Sequence, residues 1–378
     1  MQVASMTKIV AALVVLRQCE NLARPQAAGE VENAGPTQVK RKLVSPPRSP
    51  ARRRGTSASP RNDSPARGEP PRDPELQLLS QVADALDDGP DAEELSPAMR
   101  AQLDRHVTIS RAAAAEQRGT HADLKEGEIY TVKQMLYALM LPSGNDAAIA
   151  LAEHFGDKFS PNEAGDLPRG KYYAGGYKAD SAVGRFVGEM NRVSRAVCSG
   201  GYGAGVAGGK QFVNPHGMSH GSNLSSAADI AKLSHVAMTY PIFRRIVATE
   251  RKTLTVRGRF RRRTVRWDNT NALLALPPQV GSDTPPFDGV KTGWIPNVAG
   301  QRLYCCLCAR STRPKSEPSS VLQAQILPRK LLLVVVGSRN KSLRFVDTNA
   351  LAQWAWRRLG LIDRPETIPR YELNPNSE

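Results

Sequence analysis

The chain has 378 residues, 40% of them hydrophobic, enough to bury one large core or two ordinary ones, which excludes a wholly disordered protein. No uninterrupted apolar run reaches the roughly 18 to 20 residues of a helical membrane span, the longest being Ile9 to Leu16 and Leu331 to Val336. Five cysteines (Cys19, Cys198, Cys305, Cys306, Cys308), two of them adjacent, argue against a disulfide framework, and the formal charge of +16 favours anionic partners only where the basic residues share a surface.

In chain order, Met6, Ile9, Val10, Leu13 and Leu16 predict a buried helix, with Ser5 and Lys8 three residues apart on one face at its start. Met1 to Ala23 also reads as a short targeting segment, since one early lysine precedes the apolar run. Residues 25–74 hold ten of the 28 prolines, ten Lys or Arg and no aromatic residue; such a segment buries too little apolar surface to offset chain entropy and is expected to be disordered. Glu75 to Met99 reverses sign, with seven acidic residues and no basic ones, and Leu76, Leu79, Val82 and Leu86 suggest a short amphipathic helix followed by linker. The domain scheme is therefore 1–24 as the first helix of a globular domain, 25–101 as an insertion, 102–362 as the rest of that domain, and 363–378 as a tail. Stretches near 160–178, 199–209 and 311–320 read as surface insertions.

Val132 to Leu141 and Asp146 to Phe155 predict two helices, with Pro142-Ser143-Gly144-Asn145 on the loop between them. Arg251 to Arg266 carries eight Lys or Arg, no acid, and apolar residues at period two; it reads as an edge hairpin with a solvated basic face before it reads as a nucleic-acid site. Val290 to Gly293 precedes a strand near Arg302 to Ala309, Leu331 to Val336 predicts a buried strand, and Phe345 to Leu359 an amphipathic helix. The mixture points to an α+β class with helices on a sheet. Cys305, Cys306 and Cys308 lack the paired spacing of a zinc site and are expected to be small buried strand residues. No metal and no cofactor is expected.

Three polar motifs occur in order: Ser5-Met6-Thr7-Lys8, Ser143-Gly144-Asn145 and Lys291-Thr292-Gly293. A second SxxK, Ser338 to Lys341, shows that the four-residue pattern also arises by chance, roughly once in a few hundred positions. A serine hydroxyl becomes a nucleophile when a neighbouring base takes its proton, and a lysine serves as that base when burial or nearby positive charge lowers its pKa. Lys8 beside Lys291 would meet that condition. Ser143 could relay the proton to a leaving amine, Asn145 could hold a substrate amide, and Thr292 with Lys291 could bind a carboxylate. The backbone N–H groups of Ser5 and Trp294 would form an oxyanion hole. Helix capping is the alternative use of Ser143 and Asn145, and strand entry that of Lys291 to Gly293.

In this order the motifs resemble the penicillin-recognising serine hydrolases, and more closely the D-alanyl-D-alanine carboxypeptidases, the low-molecular-weight penicillin-binding proteins. The resembling segments are Ala4 to Lys8, Leu124 to Glu153, Phe212 to Met218, Leu224 to Ala231, Asn269 to Leu274, Asp288 to Gly300 and Leu331 to Arg344. The resemblance implies a β-lactamase/transpeptidase-like α+β fold, an antiparallel sheet flanked by helices plus a helical lobe. It implies catalytic roles for Ser5, Lys8, Ser143, Asn145 and Lys291, and substrate binding by Thr292, Gly293, Trp294 and Arg344, the last helping to hold the terminal carboxylate. His216 falls in a resembling loop without an assigned role. The expected partners are peptidoglycan-derived D-Ala-D-Ala peptides and inhibiting β-lactams, with neither nucleic acid nor a transmembrane segment. A periplasmic or extracellular site follows from the substrate, although no complete signal peptide is present.

Relatives have strands ahead of the nucleophile, whereas four residues precede Ser5, so a truncated start or a missing outer strand is expected. Their second, all-β domain and amphipathic anchor are expected to be absent. The long separation of Ser5 from Ser143 is expected to be taken up by the insertion. Two other readings stay open: a β-lactamase-like hydrolase, for which no glutamate motif is evident, and a silent homologue acting as an interaction protein through its basic linker.

Overall fold

The first helix, α1 (Thr7–Ala23), follows a 3-10 turn over Ala4–Met6, and every residue from Thr7 to Arg17 is buried. A helix apolar on all sides belongs in the centre of a domain, where burial outweighs the weak helix propensity of Ile9, Val10, Val14 and Val15. In the computed structural model, residues 2–24, 95–160, 172, 176–198, 212–218, 223–258, 262–275, 286–295, 304–312 and 330–359 are described. The compact unit comprises Met1–Ala23 with Arg72–Glu378; Arg24–Pro71 is divided from it and, but for Arg24, lies outside the described residues. So do the acidic helix expected within 75–99, apart from the last five residues, most of the three expected surface insertions, and the 363–378 tail.

Around α1 pack α2 (Pro97–Leu103), α4 (Val132–Met140), α5 (Asn145–Gly156), α6 (Ala182–Cys198) and α7 (Ala227–Met238), with the short helices α3 (Arg111–Ala114) and α8 (Pro241–Val247) completing the lobe. Helix α2 begins ahead of the globular boundary expected at about Gln102, because Ser96 accepts a hydrogen bond from Met99 N–H as its cap and Met99 and Leu103 are buried. A capping box starts α4: Thr131 Oγ1 accepts from Gln134 N–H at 3.1 Å while Gln134 Oε1 accepts from Thr131 N–H at 2.8 Å.

Two antiparallel sheets accompany the helices. One runs β1 (His106–Thr108), β2 (Ile129–Thr131), β3 (Arg251–Arg257), β4 (Arg262–Asp268). The other runs β5 (Phe287–Ile295), β6 (Tyr304–Thr312), β7 (Lys330–Ser338). Strand β6 divides its side chains at period two: Cys306 and Cys308 join the core around α1, while Leu307 and Ala309 join Ala352 and Trp356 of α9 (Leu343–Arg358). Helices thus cover both faces of this sheet, which is the α+β arrangement expected. Cys306 Sγ donates to the Val3 carbonyl and Cys308 Sγ to Ser234 Oγ, as small buried strand residues do.

Three expectations need correction. The strand over Leu331 to Val336 is half-buried, with only Leu333 buried among those residues, because β7 has a single partner, β6, among the described strands. The basic hairpin alternates as expected, but its charges are not all solvated. Arg263 turns inward to Glu128, at 2.5 and 3.0 Å, and Lys252 Nζ lies 5.1 Å from the Tyr137 ring centroid. Asn145 is the first residue of α5 and not a loop residue; Gly144 occupies the cap position and no side chain caps it.

Candidate active site

The N-terminal 3-10 turn places Ser5 and Lys8 together at the head of the central helix. Lys8 is fully buried and its Nζ has three partners: Ser5 Oγ at 3.0 Å, Asn145 Oδ1 at 2.6 Å and the His216 carbonyl at 2.7 Å. Burial, followed by the charge of Lys291, holds the Lys8 pKa well below its ordinary value. An amine with two hydrogens can donate to the Asn145 and His216 oxygens and turn its lone pair to the Ser5 hydroxyl. Neutral Lys8 is therefore arranged to accept the Ser5 proton.

Each partner of Lys8 is itself held. Asn145 Nδ2 donates to the Arg118 carbonyl at 2.5 Å, so both ends of its amide are occupied. The 212–218 segment is tied by Asn191 to Phe212 N–H and C=O, at 2.7 and 2.9 Å, and by Asn214 Oδ1 to Gly217 N–H at 2.7 Å. Gly217 has φ +90°, and a Cβ there would meet the Ala4 carbonyl oxygen at 2.0 Å, so only glycine lets this loop lie against the Ala4–Met6 turn. The imidazole of His216 makes contacts of its own. Its Nδ1 accepts from Met218 N–H at 3.1 Å and its Nε2 lies 3.3 Å from the Tyr177 hydroxyl. Burial and the nearby Lys8 charge lower its pKa to about 3, which keeps it neutral.

Strand β5 carries Lys291, Thr292 and Gly293, all buried. A Cβ on Gly293 would sit 2.6 Å from Cys306 Sγ and 3.2 Å from Ser5 N, so the absent side chain is what allows the strand to run past the Ser5 backbone. Lys291 Nζ donates to the Thr292 carbonyl at 3.0 Å, and burial with the Arg344 charge lowers its pKa to about 7. Arg344 Nη1 donates to the Gly293 carbonyl at 3.1 Å, and the Thr292 and Thr270 hydroxyls are 2.7 Å apart. Trp294 lies at the half-buried end of the strand, where Lys341 Nζ stands 3.9 Å from its ring centroid. This occupies the lysine of the second SxxK, whose serine, Ser338, donates to Asp347 at 2.6 Å.

Two non-glycine residues at the site have left-handed backbones, Ala4 (φ 47°), just before Ser5, and Ser143 (φ 64°). Such strain persists where surrounding contacts over-determine it. Among the described residues the buried Ser143 hydroxyl has no hydrogen-bond partner. Ser5, Lys8 and Asn145 are thus joined directly, and Lys291 joins them through its field; Thr292, Gly293 and Arg344 form the adjoining positive end.

Sequence reasoning missed the groups that hold this arrangement: Thr120, Arg118, Glu116, Thr270 and Asp146. Asp146 accepts from the backbone N–H of Ala122, Leu124 and Ala147 at 2.8 to 3.1 Å. Its position in the first turn of a helix was visible, but partners more than twenty residues away were not.

The family model described as D-alanyl-D-alanine carboxypeptidase matches residues 95–158 and 180–323, more than half of the chain. These spans contain Ser143, Asn145 and Lys291 to Trp294, and exclude Ser5, Lys8 and Arg344. The D-alanyl-D-alanine carboxypeptidase of Streptomyces sp. (strain K15) is 31% identical over 234 residues, covering 60% of this chain and 67% of the relative. A D-alanyl-D-alanine endopeptidase of Escherichia coli is 25% identical over 255 residues, covering 68% and 63%. Among solved structures, the Streptomyces K15 DD-transpeptidase aligns with a TM-score of 0.48 at 25% identity, over 74% of this chain and 86% of that one.

Proposed function

The chain belongs to the D-alanyl-D-alanine carboxypeptidase family, and from that premise we propose that it is a serine-type, penicillin-binding carboxypeptidase whose nucleophile is Ser5. Its substrates are peptides ending in D-alanyl-D-alanine, of the kind derived from peptidoglycan, and β-lactams occupy the same site. The observation that carries the assignment is the fully buried Lys8 amine, 3.0 Å from Ser5 Oγ and with its other two contacts satisfied by carbonyl oxygens.

Ser5 Oγ attacks the carbonyl carbon between the two D-alanines while its proton passes to Lys8 Nζ. The oxyanion is received by the backbone N–H groups of Ser5 and Trp294. As the C–N bond breaks, the departing amine takes a proton through the Ser143 hydroxyl, and D-alanine leaves. Asn145 keeps its Oδ1 on Lys8 and offers the second hydrogen of its Nδ2 to the substrate amide carbonyl. Lys291, Thr292 and Arg344 receive the terminal carboxylate. Water then cleaves the acyl-Ser5 ester and returns the enzyme. A β-lactam presents a strained amide in place of that peptide bond; attack by Ser5 Oγ breaks the ring C–N bond, the protonated nitrogen stays tethered to the acyl group, and the adduct stays attached.

The test is release of free D-alanine from a peptide ending in D-alanyl-D-alanine. Wild-type protein releases it; Ser5→Ala and Lys8→Met, both folded by circular dichroism, reduce the rate by at least about a thousandfold. Release by Ser5→Ala at the wild-type rate would remove the assignment.

A further inference from the structure

Residues 116–122 run past the Ser143–Asn145 turn and fasten it from outside. Thr120 Oγ1 donates to the Ser143 carbonyl at 2.7 Å, and Asn145 N–H donates to the Thr120 carbonyl at 2.9 Å. Asn145 Nδ2 donates to the Arg118 carbonyl at 2.5 Å. Inside this segment Arg118 grips Glu116. Its Nε and Nη2 donate to the two carboxylate oxygens at 2.9 and 2.6 Å, and its own backbone N–H donates to Glu116 Oε1 at 3.1 Å. The Glu116 side chain is 9% exposed while that of Arg118 is 73% exposed.

A rim ion pair two residues apart ordinarily matters little. This one closes a ring around the Arg118 peptide, and the Arg118 carbonyl decides which way the Asn145 amide faces. With Nδ2 on that carbonyl, Oδ1 meets Lys8 Nζ at 2.6 Å. A flipped amide would set its NH2 against the amine and its oxygen against the carbonyl, losing both bonds at once.

Building on the proposed role of Ser5 and Lys8, we propose that the Glu116–Arg118 pair is the positioning device of the acylation machinery: it fixes the Arg118 carbonyl, the carbonyl orients the Asn145 amide, and the amide holds Lys8 against Ser5. Neither residue touches the reacting atoms. Their influence also reaches Lys8 through charge. The charged and titratable groups around Lys8 are Lys291 from β5, Asp146 from α5, His216 from the 212–218 loop and Glu116 from this segment. Glu116 and Asp146 raise the Lys8 pKa, while Lys291 lowers it. Neutralising Glu116, and loosening the Asn145 oxygen that accepts from Lys8, both favour the neutral amine. The ascending limb of acylation, which tracks loss of the Lys8 proton, then moves to lower pH even as the rate falls.

The experiment measures the second-order rate of acylation by benzylpenicillin across about pH 5 to about pH 10 for the full chain, Glu116→Gln, Arg118→Ala and the double variant. Arg118→Ala keeps the backbone carbonyl and alters a mostly exposed side chain, so it carries the test if Glu116→Gln folds poorly. Each single variant is expected to acylate about tenfold to a hundredfold more slowly, the double no slower than the worse single, and Glu116→Gln to show its ascending limb at lower pH. Unchanged rates and limb in variants of an acylating protein would overturn the inference while leaving the function intact. So would additive losses that follow thermal stability without moving the limb. A wild-type protein that is not acylated would overturn the reading beneath it.

Discussion

Lys8 and Lys291 are two buried amines, the first in the field of the second, and their unequal surroundings separate their tasks. Lys8 is depressed most by burial and then by Lys291, whereas Lys291 is depressed by burial and by Arg344 to about 7. The proposed mechanism needs Lys8 neutral and Lys291 charged. The value of kcat/KM for a peptide with a free terminal carboxylate should therefore rise as Lys8 loses its proton and fall again above about pH 7 as Lys291 loses its own. An analogue with that carboxylate amidated should keep the rising limb and lose the falling one; an identical falling limb for both would contradict the role of Lys291. Stability carries the same signature. Unfolded Lys291 titrates near 10.5 and the folded residue near 7, so between those values the unfolded chain binds the extra proton and folding becomes more favourable as pH rises. The slope is at most about 1.4 kcal/mol per pH unit for one fully buried group. Buried Lys8 is depressed too and adds its own share, so denaturant titrations of wild type at about pH 7 and about pH 9 should show the gain and Lys291→Met should reduce it without abolishing it.

Elements position these residues by close approach of backbone. The loop over 212–218 reaches the Ala4–Ser5 backbone only because Gly217 lacks a Cβ. Gly217→Ala should push the His216 carbonyl off Lys8 and slow acylation by at least about tenfold, measured with the same β-lactam, and a wild-type rate in that variant would contradict the loop's role. In the core, Leu13→Ala in α1 should destabilise the fold by about 2 to 5 kcal/mol, checked by denaturant unfolding. The helices and strands were legible wherever periodicity was strong: α1, α4, α5, α9 and the β3–β4 hairpin follow from their apolar spacing. Ser5, Lys8 and Lys291 could be named because their chemistry demands those residue types. The clamps could not. Glu116, Arg118 and Thr120 act mostly through backbone groups, and Thr270 meets Thr292 across 22 positions, so neither periodicity nor spacing marks them. That β7 has one neighbour among the described strands escaped for the same reason, since an apolar run does not say how many neighbours its strand has.

For the whole molecule, a long stretch of chain separates α1 from the rest of the domain, yet α1 and α2 pack directly against each other and Gln102 Nε2 reaches the Leu22 carbonyl at 3.5 Å. The two ends are therefore held by the domain itself. Replacing residues 28–90 with a short Gly/Ser linker should leave acylation by a β-lactam within about threefold of wild type; loss of the folded state would show that the stretch takes part in the fold. Not every basic residue lies free for partners: Arg263 is paired with Glu128 and Arg310 with Asp288, whose two oxygens it meets at 2.7 and 2.6 Å. The central claim is that Ser5, backed by Lys8, is the acylated group. Intact-protein mass spectrometry after incubation with benzylpenicillin tests it most directly. One adduct per chain, absent from Ser5→Ala, is the predicted result; an unmodified wild-type mass on folded protein, or an adduct that survives in Ser5→Ala, would contradict it.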